Sequence, residues 1–263
     1  MPDTAAEYDE TDVRGPAPEP RDTPYWASPV SKLHVADVPT GAVNLNVAGR
    51  QVTGPLHGFG RMWQRTYRVR LPGVTATPAE IMADWKANFA SFQPPENHFY
   101  PPMTGVQPGT IMFINTELLH QPGLRTLTPM SSGVLILYAD DEMFTVMTPE
   151  GFPISGWNTF SVYDEAGCRV AQIQGLLRTT DPIYEFGFRF FGGERNEDRV
   201  WSHVLTQLAT HWGVTAEVEM HKLCVDPRLQ WAYARNIWYN AMVRTLQYRA
   251  TAPVRWIGKR LRH

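Results

Sequence analysis

Between residues 110 and 177 the chain is cut into strand-length runs by turns too short to cross a sheet, and this limits its fold more than any other feature. The runs fall near 110–118, 123–128, 133–139, 142–148, 156–164 and 168–177, with breaks at Gln121-Pro122-Gly123, Asp140-Asp141, "TPEGFP" and Glu165-Ala166-Gly167. Parallel pairing needs a connection of a dozen or more residues, so neighbours here pair antiparallel. An earlier run, "MWQRTYRVRL" at 62–71, sets Trp63, Tyr67, Val69 and Leu71 on one face, with Arg65 as the misfit among them. A later one, "IYEFGFRFF" at 183–191, sets Tyr184, Phe186, Phe188 and Phe190 against Glu185 and Arg189 and reads as a final strand.

Two amphipathic helices bracket these runs. The first, 77–92, has Thr77 as N-cap, Pro78 at the first helical position and Glu80 placed to complete a capping box. Its apolar face is Ile81, Met82, Trp85, Phe89 and Phe92. The second is expected to start at an Asn196 cap and to stop at Gly213, burying Val200, Val204, Leu205, Leu208 and Trp212. A small hairpin turning at Gly49 is expected near 42–54, and a further helix near 228–249.

Composition narrows the class. Residues 1–24 are acidic and Pro-rich and read as a disordered leader, without the basic and apolar regions of a signal peptide. Two cysteines, Cys168 and Cys224, exclude a disulfide framework and suit a reducing, cytoplasmic setting. The longest apolar run, "VLILYA", is far shorter than the roughly 20 residues of a spanning helix. A net charge of −2 hides an asymmetry: no acid follows Asp226, while Arg228, Arg235, Arg244, Arg249, Arg255, Lys259, Arg260 and Arg262 do. That basic end, bearing Trp231, Trp238 and Trp256, makes an anionic membrane surface a candidate partner and peripheral attachment at the inner membrane face an alternative localisation. Nucleic acid is not expected, because the body is acidic and no recognition module is apparent.

Strand, helix, antiparallel meander and closing helix, over roughly 62–213, is an order that resembles the START-like or polyketide-cyclase-like superfamily (SRPBCC proteins). "TPEGFPISGW" and "RTTDPIYEFGFR" add a weaker local similarity to bacterial families of this kind. The resemblance implies an α+β helix-grip fold, a curved antiparallel sheet wrapped around a C-terminal helix, with N- and C-terminal extensions. The expected layout is a leader at 1–24, an irregular extension at 25–60, the helix-grip domain at 61–213 and a basic helical extension at 214–263. Such proteins usually carry two short helices after the first strand, where this sequence offers one long one.

The resemblance also implies binding or carriage of a hydrophobic small molecule or lipid in an apolar cavity. From the strand faces, the wall candidates are Tyr67, Phe113, Phe144, Phe160, Tyr184, Phe186, Phe188 and Phe190. Ordinary core packing is the competing account of these rings. A cyclase or dehydratase is the alternative, with His98, Tyr100, Glu117 and His120 as candidate acid–base groups. A membrane-associated adaptor working through the basic C-terminus is the third reading. The sequence has no Walker loop, GxSxG elbow, GxGxxG turn, HExxH or CxxC pair, so no cofactor and no metal is expected.

Overall fold

The structure, a computed structural model, describes residues 23–118 and 128–252. Eight strands form one antiparallel sheet: β1 (Met62–Leu71), β2 (His98–Tyr100), β3 (Ile111–Glu117), β4 (Pro129–Ala139), β5 (Met143–Met147), β6 (Ile154–Glu165), β7 (Cys168–Thr179) and β8 (Glu219–Asp226). Their spatial order is β2-β3-β4-β5-β6-β7-β1-β8. The meander follows the turn signals, and β1 is inserted after β7. The register slips between Ile136 and Tyr138, an irregularity of the kind that bends a strand. The expected strand at 123–128 lies outside the described residues except for Thr128.

Among the described residues four α-helices accompany the sheet: α1 (Pro78–Asn88), α2 (Pro182–Phe190), α3 (Gly193–His211) and α4 (Ala241–Ala250). The capping box of α1 is formed, with the Glu80 amide donating to Thr77 Oγ1 at 3.2 Å and the Thr77 amide donating to Glu80 Oε2 at 2.7 Å. Residues 89–92 continue as turns rather than helix, yet Phe89 and Phe92 stay buried. Helix α3 starts three residues before the expected cap, with Gly192 in that role. It ends as expected: the Gly213 amide donates to Thr210 and the Val214 amide to Ala209.

The curved sheet holds α1 and α3 against one face, so the fold is the α+β helix-grip arrangement. Alternation along β3 and β4 divides their side chains between two cores. The inner core joins Tyr67, Val69, Met112, Ile114, Phe144 and Phe160 to α1 and α3. A smaller outer core joins Ile111, Phe113 and Leu135 to Leu33 and Val47 of the N-terminal segment.

Four expectations are corrected. Residues 183–190 are helix, not strand, with Phe191 as the C-cap. Asp181 Oδ1 accepts from the Ile183 and Tyr184 amides and Pro182 fills the first turn, so a pair that reads as a strand-opening turn is a helix start. Within the expected helical extension, residues 219–226 form the edge strand β8 against β1. The expected helix at 228–249 is a 3-10 stretch (Trp231–Tyr239) and then α4, divided at Asn240. Nor is there a hairpin at 42–54. That segment lies across the outer face, where buried Asn46 donates to Ser131 O at 2.8 Å and accepts from Arg244 Nε at 3.0 Å. Extensions from both ends of the chain therefore pack on the sheet.

Candidate functional site

Most of the space between sheet and helices is filled by the protein's own rings. Phe144 and Phe160 are directly paired across β5 and β6 and stack with centroids 4.5 Å apart. Trp85, Phe89 and Trp201 meet Phe160 edge-on. Near one end of α3 the filling stops, leaving a cavity of about 120 Å³. Its wall comes from the inner face of β3 and β4 (Ile114, Met130), the turn before β6 (Phe152), Phe188 of α2, and the first turns of α3 (Val200, Trp201).

Four polar side chains interrupt this wall: Asn97, Thr116, Asn196 and Glu197. Thr116 donates to Asn97. Asn196 donates to Leu118 O at 3.2 Å and accepts from Arg199 at 2.9 Å. Glu197 differs. Its Oε2 accepts from Arg65 Nη1 at 2.8 Å, while Oε1 is buried without a hydrogen-bond partner of proper geometry among the described residues.

Glu197 belongs to a charged cluster that β1, β8 and α3 build together. Arg65, the misfit of the apolar face, lies beside Glu197, Glu194 at 3.6 Å and Asp198 at 3.7 Å. Tyr67 Oη donates to Asp198 at 2.8 Å, and Lys222 of β8 pairs with Asp198 and Glu194. Burial raises the Glu197 pKa above the usual carboxylate range. Arg65, Lys222 and the Trp201 indole oppose that rise and Asp198 adds to it. Burial likewise pushes the Tyr67 hydroxyl up. For Arg65, burial alone would lower the pKa, but the surrounding carboxylates and Tyr67 raise it, so the guanidinium stays charged.

Of the sequence-derived wall residues, Phe188 lines this cavity. Tyr67, Phe144 and Phe160 are inner core, and Phe113 is in the outer core. The helical form of residues 182–190 splits the remaining stripe. Tyr184 is buried, donating to Gly151 O at 3.3 Å and accepting from the Met242 amide at 3.0 Å. Phe186 and Phe190 are 56% and 66% exposed.

Of the acid–base candidates, His98, Tyr100 and Glu117 share the outer face with Phe113, by their pairing and alternation along β2 and β3. They do not meet the cavity. His120 lies outside the described residues. Among those residues no cluster of His, Cys, Asp and Glu suits a metal ion. Glu197 was missed because it reads as a dipole-favoured acid in a helix's first turn. The signal that could have found it was Arg65, a lone charge on an apolar strand face that requires a buried acid opposite.

The basic residues do not share one role. Arg228 pairs with Asp226 at 2.8 Å, Arg244 is tied to Asn46, and Arg235 lines a crevice with Tyr233, Trp238 and Glu150. Arg249 is in the last turn of α4. Arg255, Lys259, Arg260 and Arg262 lie outside the described residues. No helix among the described residues is long and apolar enough to cross a membrane.

No family model matches the chain, and no curated protein matches it. Solved structures similar to it include a START superfamily protein from Mycobacterium smegmatis, at 15% identity and a TM-score of 0.38, covering 59% of this chain and 98% of that one. The di-domain ARO/CYC StfQ from the steffimycin biosynthetic pathway is 7% identical with a TM-score of 0.41, covering 58% of this chain and 50% of that one. Ara h 8.0201 is 10% identical with a TM-score of 0.40, covering 57% and 97% respectively. These likenesses concern the arrangement of elements alone.

Proposed function

We propose that the cavity beside α3 binds a small apolar molecule, about one ring in size, that carries a hydrogen-bonding group. The observation behind this reading is Glu197, a buried carboxyl with one oxygen lacking a well-formed hydrogen bond, in a wall whose other polar side chains are Asn97, Thr116 and Asn196. A buried polar atom without a partner is costly, and a ligand group that hydrogen-bonds it recovers that cost. Paired with Arg65 through Oε2, Glu197 offers Oε1 as an acceptor to which a ligand hydroxyl can donate. Size sets the ligand class. Ligand pockets commonly span about 300–1,000 Å³, whereas an apolar cavity of about 150 Å³ takes up benzene. A cavity of about 120 Å³ suits a single ring and leaves no room for a lipid chain in this conformation.

The test is ligand-observed NMR with phenol, benzaldehyde and toluene against the intact chain and against Val200→Phe, which fills the cavity. Saturable binding that favours phenol over benzaldehyde and toluene and disappears in folded Val200→Phe is the expected result. No saturable binding of any probe, or binding unchanged in the variant, would refute the reading.

A second reading, contact with an anionic membrane surface, draws on Trp231 and Trp238, which are 71% and 80% exposed beside Arg228 and Arg235. Co-sedimentation with vesicles containing phosphatidylserine, abolished by Trp231→Ser with Trp238→Ser, is its expected signature. Equal recovery of the double variant with the vesicles counts against it.

A further inference from the structure

A second cavity, of about 210 Å³, lies on the other side of Phe188 and has the opposite chemistry. Four arginines stand in its wall, Arg61, Arg65, Arg178 and Arg189, against two acids, Glu185 and Glu194. Two of the arginines are deeply buried, Arg178 at 1% exposure and Arg65 at 3%. Arg178 Nη2 donates to Asp226 at 3.0 Å, but its Nε and Nη1 have no hydrogen-bond partner among the described residues. Arg65 Nε is likewise unpartnered. The nearby acids already have partners: Asp226 also accepts from Arg228 and Gln230, Glu185 from Thr179, and Glu194 from Lys222.

The backbone makes room for this arrangement. A Cβ at Gly58 would sit 2.5 Å from Arg178 Cγ, and one at Gly60 would sit 2.2 Å from Glu185 Oε2. The segment "GFGR" thus lets the Arg178 stem and the Glu185 carboxylate lie directly against it. Two guanidinium ions that keep three nitrogens without a partner, in a wall of four arginines and two acids, are complementary to a planar or tetrahedral oxyanion. Trp63, Leu177 and Phe188 supply apolar wall beside them.

We propose that this arginine-lined cavity is a binding site for an oxyanion, a carboxylate or a phosphate, borne by a molecule with an apolar body. It rests on different side chains from the ring-sized cavity, sharing only Phe188 with it, so either proposal can fail alone.

Isothermal titration at fixed ionic strength tests it, with benzoate, phenyl phosphate, inorganic phosphate and uncharged benzyl alcohol as probes. Saturable binding of at least one anion is expected, at a site from which excess benzyl alcohol does not displace it. The better of benzoate and phenyl phosphate then assigns the head group. Arg178→Met abolishes binding. Because that variant removes a buried charge, the exposed Arg189→Ala is the second test, expected to weaken binding about 10-fold through loss of one charge-assisted contact. Absence of saturable binding by all three anions, or undiminished binding in folded Arg189→Ala and Arg178→Met, overturns the proposal.

Discussion

Arg65 Nη1 donates to Glu197 Oε2 at 2.8 Å, joining the middle of β1 to the first turns of α3 through an ion pair whose side chains are 3% and 11% exposed. This pair fixes where α3 crosses the sheet, and it holds a carboxyl in the wall of an apolar cavity. Desolvating two ions is costly, and each depends on the other to offset that cost.

Arg65→Met is therefore expected to destabilise the fold by about 3–5 kcal/mol at neutral pH, the usual cost of leaving a buried charge unpaired. The pH dependence follows from Glu197. Its folded-state pKa is already raised, and losing Arg65 raises it further, because Arg65 favours the ionised form. A raised carboxyl pKa adds stability at low pH that is lost as pH rises through the folded value. The variant's deficit should shrink as pH falls from 7 towards 5. Urea denaturation at several pH values checks this, and a pH-independent deficit would contradict it.

Asp226 behaves in the opposite sense. Hydrogen bonds from the Arg228 side chain and amide, with a further one from Arg178, hold its pKa below the ordinary 3.8. The stability it contributes is present above the ordinary pKa and disappears as pH falls through the lower folded value. Asp226→Asn should lose stability at pH 7, with the difference from the parent chain narrowing below pH 3.8. Thermal melts across that range measure it.

Phe160→Ala removes a ring with no solvent exposure that touches Phe144, Trp85, Phe89 and Trp201. A loss of about 3–5 kcal/mol is expected, and Phe160→Leu should cost markedly less because it leaves a smaller void. Chemical denaturation of both variants tests the ordering.

Gly151→Ala meets two obstacles at once. The residue has φ of +82°, and a Cβ there would lie 1.9 Å from the Tyr239 carbonyl oxygen. The Gly151 carbonyl also accepts from the Ala241 amide and the Tyr184 hydroxyl. A loss of at least about 1–3 kcal/mol is expected from the backbone alone. Hydrogen exchange should show protection falling first at Ala241 and Met242, where α4 begins.

The sheet was legible because short turns leave antiparallel pairing as the solution for β3 to β7, and α1 because its cap is written out in Thr77, Pro78 and Glu80. The sequence misled where one pattern serves two periods. Tyr184, Phe186, Phe188 and Phe190 alternate like a strand, yet on a helix they also form two i,i+4 pairs on opposite sides, Tyr184 with Phe188 and Phe186 with Phe190. Strand β8 escaped because its outer side chains, Leu223 and Val225 among them, remain exposed and show no buried stripe. Glu197 and Arg178 were illegible for a different reason. Their significance is the absence of hydrogen-bond partners, and that depends on elements more than a hundred residues apart for Arg65 and Glu197.

The position of β1 between β7 and β8 bears on how the chain is made. This strand emerges from the ribosome about a hundred residues before its first hydrogen-bonding neighbour, which starts at Cys168, and its second starts only at Glu219. Until then "MWQRTYRVRL" has two unpaired edges and an unburied apolar face, the exposure that favours intermolecular pairing. Arg65, Arg68 and Arg70 put three positive charges on this waiting segment. The arginine that pairs with α3 in the folded protein is also one of the charges on this segment, of the kind that opposes edge-to-edge pairing of unfinished copies.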